Sequence, residues 1–122
     1  MGWVTFVIAL VTYTLTLEPT ASFWDCGEFL ATANKLQVGH PPGAPLFMML
    51  GRIASAFVSP ENVPVAINIL SALSSSFSIL FLFWSITHMA KKLALQGSED
   101  ALTTGQLIAV IGSGIVGSLA YT

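Results

Sequence analysis

The sequence predicts an all-α fold: an integral membrane helical bundle with about three transmembrane helices and an extracytoplasmic loop that contains short amphipathic helices. Three observations predict it. The 122 residues are 54% hydrophobic and only 8% charged, with a mean hydropathy of +0.79, whereas soluble domains carry roughly 25% charged residues. Long apolar runs recur, over about 1–17, 63–90 and 105–122. Between the first two, polar residues gather in one island, SFWDCGEFLATANKLQVGHPPGAP, from Ser22 to Pro45.

The first run, Trp3 to Leu17, carries no charge and, with Met1 and Gly2, comes close to the roughly 20 residues that cross a hydrocarbon core. It lacks the basic segment and small-residue cleavage site of a signal peptide and reads as a retained span whose natural start lies upstream. Glu18-Pro19-Thr20 ends it, because proline cannot extend the hydrogen-bond ladder and restricts the residue before it. Ser22 with Asp25, and Asp25 with Glu28, have capping-box spacing, which predicts a helix from about Asp25 to Leu36 with Phe29, Ala33 and Leu36 as its apolar stripe. Thr32, Asn34 and Lys35 fall off that stripe, so this helix suits an interface. Gly39 and Pro41 are expected to stop it, and His40-Pro-Pro-Gly-Ala-Pro45 to form a stiff turn.

Leu46 to Val58 is apolar but short and carries Arg52, which predicts a re-entrant or interfacial helix closed by Ser59-Pro60-Glu61. From Val63 or Pro64 to Met89 the run is long enough to span with tilt. Lys91 and Lys92 follow it and mark the cytoplasmic side. The preceding segment, 18–62, is then extracytoplasmic. A third span begins at Gln106, where Gly105, Gly112, Gly114 and Gly117 are expected to allow close helix approach. The chain stops inside this apolar run at Tyr121-Thr122, as the front piece of a longer protein does.

A net charge of -2 with no basic run excludes nucleic acid as a partner, and the lone Cys26 cannot form an intramolecular disulfide. Chemistry belongs in the polar island. Asp25 and Glu28, three residues apart, share a helix face and can converge on one substrate atom, and their mutual repulsion is expected to raise the pKa of one of them into the range of a useful base. The alternative is that both only cap the helix and complement its dipole. Arg52 can bind a lipid phosphate, or else snorkel or pair with Glu61. His40 can bind phosphate or shuttle a proton, or be a loop residue held by one hydrogen bond. With no second histidine nearby, a zinc site is not expected. Trp24, beside Asp25, is the tryptophan placed to line a site, whereas Trp3 and Trp84 read as interface anchors.

The stretch LTLEPTASFWDCGEFLATANKLQVGHPPGAPLFMMLGR, from Leu15 to Arg52, resembles the opening of a family of bacterial multispanning proteins whose animal relatives act as protein O-mannosyltransferases. The pairing of WDCGE with GHPPGAP carries the resemblance. It implies a branch of the GT-C glycosyltransferases, which take a sugar from a polyprenyl phosphate carrier on the extracytoplasmic side. An acidic residue of the first extracytoplasmic loop commonly acts there as base. By motif that residue is Asp25, with Glu28 second.

The resemblance therefore implies that the chain is the N-terminal portion of a membrane transferase that moves a hexose, mannose by the animal relatives, to protein Ser/Thr hydroxyls. Its catalytic residues would be Asp25 and Glu28, with Trp24, His40 and Arg52 binding substrate. The expected partners are the polyprenyl phosphate sugar, an acceptor protein and the bilayer of the bacterial inner membrane. No cofactor is implied, and no divalent metal is indicated. A non-enzymatic membrane scaffold or a transporter fragment is the alternative.

Overall fold

The computed structural model describes residues 1–21, 24–41, 43–96 and 102–122. Among them there is no strand: the order is α1 (Gly2–Leu15), α2 (Cys26–Lys35), α3 (Pro45–Ser55), a 3-10 turn at Pro60–Asn62, α4 (Val63–Ala94) and α5 (Thr104–Leu119). The all-helical expectation holds. Of the three expected spans, the helix from Pro60 to Ala94 is long and apolar enough to cross a membrane, while α1 and α5 are apolar but shorter. At about 1.5 Å per residue, the 14 residues of α1 reach only about 21 Å.

The chain forms two compact units, Thr16–Leu73 and Met1–Leu15 with Ser74–Thr122. In the first, α2 and α3 pack through Leu30, Ala33 and Met48 onto Val63 and Ile67 at the start of α4, with Phe29 and Phe47 edge to face at 5.9 Å. The close approach needs Gly51, where a Cβ would lie 2.9 Å from that of Ala33. The buried face of α2 is Leu30, Thr32 and Ala33, which corrects the expected stripe. Leu36 is 59% exposed, and Thr32 is buried because its hydroxyl donates to the Glu28 carbonyl at 2.7 Å and lies 3.2 Å from the Met48 sulfur. A threonine that satisfies its own hydroxyl this way enters a core at little cost.

In the second unit α1 buries Gly2, Thr5 and Ala9, and α5 buries Val110, Gly114 and Ser118. These are mostly small side chains, as in helices that pack closely within a bilayer. Gly114 lies against Thr87 and Phe83, Gly117 against Ile86, and Gly2 against Trp84, Phe83 and Leu80. Gly105 and Gly112 have nothing nearby, so only half of the expected glycine surface is used. Trp3 and Trp84 meet edge to face at 6.2 Å. Lys91 and Lys92 fall inside the last turn of α4 rather than after it, where cations complement the negative end of the helix dipole.

Candidate functional site

The site is built where α2 begins and where the chain after α2 returns to it. Trp24 takes φ +67°, in the left-handed region, and is 93% exposed. Asp25 then holds the N-cap position, and its backbone carbonyl accepts the Phe29 N–H at 3.0 Å. Its side chain makes no capping hydrogen bond, so the expected Asp25–Glu28 capping box does not form; Ser22 lies outside the described residues. Glu28 has turned to stronger partners.

Those partners arrive through the end of α2. Leu36 adopts φ +49°, and the Gln37 N–H returns to the Thr32 carbonyl at 2.9 Å, so the helix ends at Lys35, before the Gly39 and Pro41 expected to stop it. The reversal carries His40 back over the start of the helix. Its backbone N–H donates to Glu28 Oε1 and its Nδ1 meets Glu28 Oε2, both at 2.8 Å, while Nε2 lies 4.0 Å from Asp25 Oδ2. The expectation of a histidine held by one hydrogen bond is corrected to an imidazole set between two carboxylates. Gly39 makes this possible: a Cβ there would lie 3.1 Å from Glu28 Oε1.

The electrostatics follow the geometry. The His40 backbone N–H, then its ring, holds the Glu28 carboxyl below its ordinary value. This reverses the expected repulsion-driven rise for this member of the pair, because the His40 backbone N–H and then its imidazole satisfy the carboxylate charge. The hydrogen bond to Glu28, its charge and then that of Asp25 raise the imidazole above its ordinary value. All three side chains stay accessible, at 54% for His40, 47% for Asp25 and 37% for Glu28. Beside them Leu36, Val38, Pro45, Met48 and Met49 line an open, largely apolar groove of about 390 Å³ that shares Gly39 and Gly43 with the His40 surroundings.

Arg52 is not brought into this cluster. Its guanidinium donates to the Asn34 carbonyl in the last turn of α2, an open helix end that a cation favours, rather than to Glu61. Asn68, which the sequence alone leaves as a polar group within the α4 span, donates through its amide to the Glu18 carbonyl at 2.8 Å and ties down the segment leading to the site. The sequence reading missed both roles. It also passed over Thr103-x-x-Gln106, whose spacing announces the capping box that starts α5. Among the described residues no group of three or more His, Cys, Asp or Glu side chains is arranged to hold a metal ion.

Residues 25–122 match the family model described as the protein O-mannosyl-transferase TMEM260 N-terminal domain. The chain belongs to this family. The TMEM260 N-terminal domain match starts at Asp25, the first residue of the cluster. A protein O-mannosyl-transferase tmem260 of Dictyostelium discoideum is 32% identical over 83 residues, 66% of this chain and 10% of the relative. A protein O-mannosyl-transferase TMEM260 of Mus musculus is 29% identical over 85 residues, 70% of this chain and 12% of the relative. The chain thus spans about a tenth of the length of these curated relatives. No solved structure matches it.

Proposed function

We propose that the chain is the N-terminal part of a GT-C-type membrane glycosyltransferase that moves mannose from a polyprenyl phosphate carrier to Ser or Thr hydroxyls of an acceptor protein. Spans 1–17, 63–90 and 105–122 would enclose the bilayer part, with 18–62 on the extracytoplasmic side of the bacterial inner membrane. The observation that carries the reading is the Asp25–His40–Glu28 cluster, in which the two halves of the WDCGE and GHPPGAP pairing meet through His40 within a TMEM260-family domain.

In this reading Asp25 takes the proton of the acceptor hydroxyl as that oxygen attacks the anomeric carbon. The carbon–oxygen bond to the phosphate breaks, and its electron pair leaves with the phosphate. Trp24, exposed beside Asp25, offers a face on which a hexose ring can stack. Arg52, held by the Asn34 carbonyl in the last turn of α2, at the other end of that helix from Asp25, would pair with the leaving phosphate once it gives up that backbone partner. Glu28 keeps His40 in place.

The donor class is tested with membranes containing the full-length protein, a Ser/Thr peptide and labelled mannose. Transfer from polyprenyl phosphate mannose is expected. Transfer from the nucleotide sugar, with none from the lipid-linked donor, would overturn the reading.

A further inference from the structure

The two bonds between His40 and Glu28 fix more than the position of the loop. An ionised carboxylate only accepts hydrogen bonds, so Nδ1, at 2.8 Å from Glu28 Oε2, must carry a proton. In a neutral imidazole the lone pair then belongs to Nε2, the atom that faces Asp25 Oδ2 at 4.0 Å. The backbone N–H of the same residue, held at 2.8 Å by the other Glu28 oxygen, keeps the His40 backbone against that carboxylate. The charged groups facing the imidazole are thus Asp25 and Glu28 alone among the described residues, and α3 meets this corner with the uncharged Met48.

We propose that His40 is the second station of a proton relay, receiving at Nε2 the proton that Asp25 takes from the acceptor hydroxyl, and that Glu28 is a positioning residue that fixes the His40 tautomer. The proposal rests on Asp25 being the base. The acceptor O–H bond breaks, its electron pair forms the new bond to the anomeric carbon, and its proton goes to Asp25 Oδ2. A small rotation closes the gap, the proton passes to Nε2, and Asp25 is again a carboxylate. An imidazole is the stronger base, so the transfer runs in that direction. The imidazolium, paired with Glu28 and with its side chain 54% exposed, returns the proton to bulk water. This assigns Glu28 a role through His40 rather than on the substrate.

The test uses transfer kinetics of the full-length protein in membranes. His40→Ala is expected to lower kcat about 100-fold with donor KM within about twofold, and added imidazole is expected to restore part of the loss. Glu28→Gln removes the charge that raises the imidazole and should move the acid limb of the kcat profile to lower pH. Native kcat in His40→Ala, or a loss that imidazole does not answer, or an acid limb unmoved in Glu28→Gln, would overturn the relay. The parent reading is separated by Asp25→Asn. If that variant keeps native transfer, base and relay fall together; if it is inactive while His40→Ala keeps native kcat, the relay falls alone.

Discussion

Glu28 and His40 stabilise one another over a defined pH range. Glu28 lies below its ordinary 4.5 chiefly through the His40 backbone N–H, so its contribution is complete above 4.5 and is lost as pH falls through the lowered value. His40 lies above its ordinary 6.5 chiefly through the hydrogen bond to Glu28, so its contribution is complete below 6.5 and is lost as pH rises through the raised value. Both act fully between 4.5 and 6.5. Histidine-labelled NMR in detergent should show His40 titrating above 6.5 in the native protein and closer to it in Glu28→Gln; equal midpoints would contradict the pairing. Gly39→Ala, which pushes on Glu28 Oε1, should lower the His40 midpoint in the same experiment. At this scale the sequence showed that Asp25 and Glu28 share a helix face. It could not show that His40 docks on them, because the reversal depends on a leucine in the left-handed region, Leu36, which no glycine marks.

The elements were legible where periodicity or punctuation is strong and not where partners decide. Capping-box spacing placed the start of α2 although Asp25 makes no side-chain cap, and α3 and the long α4 could be read from proline positions and apolar runs. Which glycines of α5 meet a neighbour could not, since Gly112 and Gly114 look alike in sequence while only Gly114 faces Phe83 and Thr87. This yields a paired prediction. Gly114→Leu overpacks that contact and should cost about 1–3 kcal/mol, read as a lower unfolding midpoint in detergent. Gly112→Ala meets open space and should be neutral or gain about 0.5–1 kcal/mol from helix propensity. Equal effects would mean that α5 does not pack through this face. The same logic explains Arg52: its charge was visible, but the Asn34 carbonyl that captures it is a tertiary partner.

For the molecule as a whole, helicity and a long apolar helix followed from composition, whereas among the described residues the other two expected spans are shorter apolar helices, and the motif pairing led to the family that residues 25–122 match. Topology is the next consequence. The proposed topology takes the end of α4 that carries Lys91 and Lys92 as cytoplasmic, and on it a cysteine placed at Ser59 in a Cys26→Ser background should react with an impermeant maleimide in intact cells. One placed at Gln96 should react only after permeabilisation. The reverse pattern would put the cluster on the wrong face for a lipid-linked donor presented outside.

The central claim is that Asp25 takes the acceptor proton in sugar transfer, and one comparison tests it most directly. Membranes with full-length native or Asp25→Asn protein, matched for expression, are given labelled polyprenyl phosphate mannose and a Ser/Thr peptide. The account predicts transfer by the native protein and a loss of at least about 100-fold in Asp25→Asn; native-level transfer by the variant would contradict it.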